Sequence, residues 1–241
     1  MRFEVLEQHS LNASVRSMTL AGATDRLTRP GQFVQVRVPG CYLRRPISVC
    51  DWQTGKLRLV YQIVGEGTER MSHWQTGDEA DLLPGLGNGF DMERCGETPL
   101  LVGGGVGLPP LLGLCRRLLA RGARPQVLAG FASKEQSMLL EDFQALGVPV
   151  TVTTVDGSLG IPGLVTDALD SLTFDSLCAC GPIPMMRALH GRVRVPAQYS
   201  LEERMGCGFG ACIGCSIQTK KGPARVCKEG PVFNGEELMW A

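Results

Sequence analysis

Three features of the sequence predict an antiparallel β barrel, then a doubly wound parallel-sheet α/β domain, then a small C-terminal segment. Residues 1–83 alternate apolar and polar side chains between turn residues. From Pro99 strand-like and helix-like runs alternate. From Leu201 periodicity disappears into a stretch rich in glycine and cysteine. These changes suggest units of 1–95, 96–200 and 201–241.

Phe3, Val5 and Leu6 begin the first strand, and Val15, Met18 and Leu20 mark the second. Phe33 to Val38 is a clean period-2 run, and Leu57 to Val64 is another. Pro30-Gly31, Pro39-Gly40 and Gly55 separate them, as in a small barrel or sandwich. Thr68 to Trp74 looks helical, and Leu83 to Gly89 reads as a linker. Beyond it come strands at Leu100–Val102, Gln126–Phe131, Val148–Val155 and Leu177–Cys180. Helical stretches lie between and after them, at Leu111–Leu119, Met138–Leu146, Val165–Leu169 and Met185–Leu189. That order argues a parallel sheet. The last unit is too small for a hydrophobic core of its own, which leaves its cysteines to hold it together.

The 241 residues carry 24 Lys+Arg against 24 Asp+Glu, so the chain is not a nucleic-acid binder driven by bulk positive charge. Apolar runs such as Leu111–Leu114 fall far short of the roughly 18–20 residues of a membrane span. The opening residues lack the apolar core of a secretory signal. A cytoplasmic protein is expected. Its ten cysteines then need a reason other than disulfides.

Four of the ten crowd the C-terminal unit: Cys207, Cys212, Cys215 and Cys227, spaced C-x4-C-x2-C-x11-C. The first three match the plant-type run that holds a [2Fe–2S] cluster. Gly206, Gly208, Gly210 and Gly214 allow the backbone to curl closely round such a group. Structural zinc is the competing reading. It usually shows paired C-x2–4-C knuckles, and only one C-x2-C occurs here.

Gly103, Gly104, Gly105 and Gly107 end a predicted strand and open a helix, a junction whose backbone N–H groups favour phosphate. Pro110 departs from the G-x-G-x-x-G spacing. Cys180-Gly181-Pro182 ends another strand, so both loops fall where open parallel sheets bind ligands. In the barrel, Arg45 offers charge-assisted bonds to a diphosphate, and Pro46 fixes the backbone before Ile47 and Ser48. Gly67 and Thr68 precede the helical patch, where amides and a hydroxyl can take phosphate oxygens.

A barrel with R-P-x-S and G-T, followed by G-G-G-x-G-x-P and C-G-P, resembles the ferredoxin–NADP reductase superfamily. The C-terminal block from Arg204 to Phe233 is similar, more narrowly, to the electron transfer subunits of dihydroorotate dehydrogenase B enzymes. The resemblance implies FAD at Arg45, Pro46, Ile47, Ser48, Val60, Tyr61, Gln62, Gly67 and Thr68. The family often has Arg where Gln62 stands. It implies NAD at Gly103, Gly104, Gly105, Gly107 and Gly181, with Cys180 as the catalytic residue there. It implies a [2Fe–2S] cluster on Cys207, Cys212, Cys215 and Cys227. The expected role is an NAD-linked relay of electrons for pyrimidine biosynthesis, with an FMN-containing catalytic partner in a two-plus-two heterotetramer. Two alternatives stand beside it. One is the small subunit of a sulfide dehydrogenase or an NADH-dependent ferredoxin:NADP oxidoreductase, and the other is a non-catalytic redox sensor. In the superfamily a C-terminal aromatic often stacks on the flavin, and here the chain end, with Trp240, belongs to the cluster segment.

Overall fold

The computed structural model describes residues 1–240. The first half contains β1 (Arg2–Ser10), β2 (Val15–Ala21), β3 (Phe33–Arg37), β4 (Arg45–Gln53), β5 (Lys56–Gln62), α1 (Glu66–Ser72) and β6 (Glu79–Leu86). Its strands close into a barrel in the order β1-β2-β5-β4-β3-β6, with every pairing antiparallel. Alternation sends Val5, Met18, Leu20, Val34, Val36, Leu57, Leu59 and Leu82 into one interior core.

Two of the barrel strands escape a period-2 reading. In β4 the alternation is masked by Pro46 and by polar residues on the outer face. In β6 it is masked by the segment expected to be a linker, Leu83–Gly89, whose first four residues belong to the strand instead. Gly85, at φ +73°, lies between the pairs Phe33–Leu86 and Gln35–Leu83, where the register shifts. A Cβ there would come within 2.4 Å of the Arg26 carbonyl oxygen. Proline and glycine here mark a bulge in a paired strand, which has the same composition as a linker.

The second half runs β7 (Pro99–Gly104), α2 (Pro109–Ala120), β8 (Gln126–Phe131), α3 (Leu140–Ala145), β9 (Val150–Thr154), β10 (Ile161–Pro162), α4 (Val165–Ala168), β11 (Ser176–Cys180), α5 (Ile183–Arg192) and β12 (Ala197–Ser200). These strands form a parallel sheet in the order β10-β9-β8-β7-β11-β12. Pro109 opens α2 at a position whose missing N–H costs no helical bond. The C-terminal unit adds a hairpin, β13 (Ser216–Thr219) with β14 (Gly222–Arg225), and then β15 (Val232–Asn234). β15 pairs antiparallel with β12 and becomes the edge of the large sheet.

The cysteines are therefore not the sole fastening of the C-terminal unit. Cys215, Val226, Cys227, Phe233 and Leu238 share a core with Phe33, Leu100 and Tyr199. Asn88, just after β6, donates to the carbonyls of Glu229 (2.7 Å) and Val232 (2.9 Å) and accepts from the Val232 amide (3.2 Å). β3 consequently has two buried faces. Val34 and Val36 fill the barrel, while Phe33 and Gln35 lie under the C-terminal unit. Gln35 is completely buried, and neither its amide nitrogen nor its oxygen has a partner. Such an orphan costs about 1–3 kcal/mol.

The barrel is clamped to α2 through Asp51. Its carboxylate accepts from Arg116 Nε (2.8 Å) and Arg117 Nη1 (3.1 Å). The Arg117 guanidinium also lies 3.4 Å from the Trp52 ring centroid and donates to the Trp52 carbonyl. A second pair, Arg58 with Asp142, joins β5 to α3. Asp51→Ala strands two cations, and hydrogen bonds to charged groups contribute about 1.5–3 kcal/mol. Differential scanning calorimetry should find the melting temperature lowered by about 5 °C. An unchanged melting temperature would show that the clamp is solvated and carries little energy.

Candidate cofactor and nucleotide sites

The cysteine loop places its thiols in two pairs. The backbone N–H groups of Ala211 and Cys212 donate to Cys207 Sγ at 3.2 and 3.4 Å, and the Cys207 amide donates to Cys212 Sγ at 3.5 Å. The Cys227 amide donates to Cys215 Sγ at 3.5 Å. Cys215 and Cys227 are buried, Cys207 is half-buried and Cys212 is exposed. Burial pushes the Cys207 thiol up, but the surrounding backbone N–H groups and the Cys212 side chain outweigh it and bring the pKa to about 6. Desolvation, then the adjacent Cys215, push Cys227 up to about 12.

This donor set fits a binuclear iron–sulfur group. Amides already point at sulfur, and glycines keep the wall thin, with Gly208 at φ +78° and Gly210 at φ +91°.

The barrel strip divides the labour of its two arginines. Arg44 is taken up by Asp81 (Nη2 to Oδ2, 2.8 Å), and its guanidinium holds the Asp81 carboxyl below the usual carboxylate range. Arg45 donates to the Leu43 carbonyl and lies against Gly67, where a Cβ would come within 2.1 Å of Arg45 Nε. Arg45 and Gly67, 22 positions apart in sequence, thus form one corner. Thr68 differs from the sequence expectation. Its hydroxyl donates to the Gly65 carbonyl (3.0 Å) and accepts from the Val64 amide (2.9 Å), so it shapes the turn and its proton is committed. On β5, Val60 faces the α/β core and Gln62 lines the interdomain cavity. Tyr61 points into the barrel, where its hydroxyl donates to Gln8 Oε1 at 2.7 Å. Only its main chain is available to a ligand on the outer face. Pro46 is exposed and Ser48 half-exposed on the outer face, while Ile47, the register partner of Val34, packs against the barrel core, so only Pro46 and Ser48 present side chains on the open side.

The two glycine loops pack on each other. A Cβ at Gly107 would lie 2.1 Å from the Cys180 carbonyl oxygen, and one at Gly181 3.0 Å from the Gly104 amide nitrogen. Gly103 meets Leu108 in the same way, at 2.5 Å. Gly105, at φ +52°, meets nothing, so its missing side chain keeps the floor open. Above the loops lies a cavity of about 720 Å³, bounded by Gly104–Gly107 and Gly181 on one side and by Asn12, Val15 and Gln62 of the barrel on the other. That volume suits a nucleotide-sized ligand. Cys180 lies beneath the floor and does not line the cavity. Burial first, then the Glu202 carboxylate, push its thiol up to about 12. Burial thus favours its neutral S–H over the thiolate.

Sequence reasoning missed part of this lining. Gly130, Phe131 and Thr153 sit at the ends of β8 and β9, and the strand-end rule applied to every strand would have found them. Glu202 reaches the cavity rim, and desolvation raises its carboxyl above the ordinary value. It had no signal, because it opens the segment assigned to the cluster. Trp240 packs edge-on to Tyr199 (centroids 5.3 Å) and tilted against His190 (5.6 Å), apart from the barrel strip.

Barrel, strand-end cleft and thiol cage together define a two-domain reductase fold extended by a metal-cluster segment. The fold matches a ferredoxin NADP+ reductase from Neisseria gonorrhoeae solved with bound FAD and NADP, with a TM-score of 0.65 at 16% identity over 78% of this chain and 89% of that one. A structure of an NADH-dependent reduced ferredoxin-NADP oxidoreductase aligns with a TM-score of 0.89 at 31% identity, covering 99% of this chain and 90% of that chain. Residues 202–239 match the family model described as the iron-sulfur cluster binding domain of dihydroorotate dehydrogenase B. Proteins of Bacillus cereus (strain B4264) and Bacillus anthracis (strain A0248), both named dihydroorotate dehydrogenase B (NAD(+)), electron transfer subunit, are 40% identical over 98% of this chain and 96% of theirs. The chain belongs to the family of dihydroorotate dehydrogenase B electron transfer subunits.

Two substitutions separate the sites. Cys212→Ser should abolish the visible absorbance and the iron and sulfide content of the C-terminal unit while FAD stays bound. Equal loss of flavin would mean the two sites fold as one. Arg45→Ala removes a contact of about 1.5–3 kcal/mol, so FAD affinity measured by equilibrium dialysis should fall about ten- to a hundredfold. Unchanged affinity would return Arg45 to a solvated surface role.

Proposed function

We propose that this chain is the electron transfer subunit of an NAD-dependent dihydroorotate dehydrogenase, passing electrons between NAD and an FMN-containing catalytic partner. The observation that carries the reading is the shared wall. Gln35 of β3 is the register partner of Pro46 in the flavin strip, and the same side chain abuts Gly208, next to Cys207. The proposed flavin and cluster ligands therefore meet across one strand.

Flavin supplies a conversion between paired and single electrons, and an iron–sulfur group carries them singly. The protein's part is placement. Residues 1–95 hold FAD, with Arg45 at the diphosphate and Gly67 making room for it. Residues 96–200 hold NAD over Gly103–Gly107 and Gly181, with neutral Cys180 as packing beneath the nicotinamide. Cys207, Cys212, Cys215 and Cys227 of residues 201–241 hold the [2Fe–2S] cluster. The exposed end of that unit carries Phe209 (56% exposed) and Ile213 (67%), the latter in a left-handed conformation at φ +54°. A strained, exposed β-branched residue beside the more accessible thiol pair suits a docking face for the partner. Two copies of each subunit follow from the resemblance. Among the described residues no helix is long and apolar enough to cross a membrane. The reading puts the enzyme in the cytoplasm, where its free thiols stay reduced.

The test is reconstitution. Alone, the chain should reduce artificial acceptors with NADH and should not oxidise dihydroorotate. Mixed with an FMN-type dihydroorotate dehydrogenase subunit, it should couple dihydroorotate oxidation to NAD⁺ reduction. Phe209→Glu should weaken coupling and leave NADH-to-dye activity intact. A wild-type mixture that never couples, with NADPH and ferredoxin turned over instead, would move the chain to the oxidoreductase it structurally resembles.

A further inference from the structure

Gln35 lies between the two proposed cofactor sites, and its side chain has no hydrogen-bond partner in the barrel. It is fully buried, with both amide atoms unpartnered. Its register partners, Pro46 on β4 and Leu83 on β6, bring no polar side chain to it. Arg44 donates to the Gln35 main-chain carbonyl and leaves the side chain alone. The amide nitrogen instead presses on the cysteine loop, where a Cβ on Gly208 would come within 2.1 Å of Nε2. Gly208 directly follows Cys207, and its positive φ lets the loop approach that closely.

The flavin side does not explain the orphan. Pro46 shares the outer face with Gln35 as its register partner but is exposed, whereas Gln35 is fully buried where the cysteine loop abuts it. The amide faces the closed side, toward the thiol cage. We propose that Gln35 donates its side-chain N–H to a sulfur of the iron–sulfur cluster on the Cys207 side, and so raises the potential at which that cluster accepts an electron. Reduction adds negative charge to the sulfurs, and a donor from a neighbouring strand favours the reduced form. The inference rests on the cluster assignment made above. It adds a potential-setting residue that is contributed by the barrel and lies outside the cysteine motif.

Two measurements on the full-length, cofactor-loaded protein test it. In wild-type protein labelled with side-chain ¹⁵N-glutamine, pulsed EPR of the dithionite-reduced cluster should reveal one ¹⁵N coupling, absent in Gln35→Met. EPR-monitored titration should find the midpoint potential of Gln35→Met below that of wild type, with the flavin absorption spectrum unchanged. No ¹⁵N coupling in the wild type overturns the proposal however the variant behaves. So does a cluster potential that stays put, or a flavin spectrum that shifts while the cluster signal does not. A wild-type protein with no reducible iron–sulfur signal overturns the cofactor reading and this inference with it.

Discussion

The structure depends on one strand being buried twice. β3 closes the barrel with Val34 and Val36, and with Phe33 and Gln35 it seats the cysteine-rich unit. An ordinary strand of an antiparallel barrel keeps one face in water. Here that face carries a phenylalanine and an amide, and both sit under a segment that arrives more than 160 residues later in the chain. Asn88, following β6, secures the same segment from the side, and β15 secures it from the α/β sheet. The unit with no core of its own thus borrows one from both larger units.

Much of this was legible in the sequence, and the failures have specific causes. The four strands with clean alternation were visible because each places one face in the barrel. β6 was not, because a bulge at Gly85 and a proline at its end have the composition of a linker. The α/β order was readable throughout, since buried parallel strands are short apolar runs between helices. The four clustered cysteines declared themselves by spacing alone. What spacing does not convey is which side of a strand a residue faces. Tyr61 shares a strand run with Val60 and Gln62 but turns inward to Gln8. Thr68, a candidate phosphate ligand by sequence, uses its hydroxyl on its own turn. Glu202 and Gln35 matter only through residues that are remote in sequence, so no local pattern contains them.

On the proposed site assignments, the same arrangement gives the electrons a short route. The nucleotide cavity opens between the glycine loops and the barrel, the flavin strip continues along β4 and β5, and β3 backs onto the thiol cage. Asp51, Arg116 and Arg117 hold the barrel against α2, fixing the walls of the cavity relative to each other.

The central claim is that nucleotide, flavin and cluster communicate within one chain across β3. Anaerobic stopped-flow of the isolated subunit with excess NADH tests it most directly, following the cluster absorbance at several protein concentrations. Transfer across a shared wall predicts bleaching of the cluster with a first-order rate constant that does not change with protein concentration. A rate that rises in proportion to protein concentration would mean that electrons reach the cluster by collision between molecules, and would contradict the account.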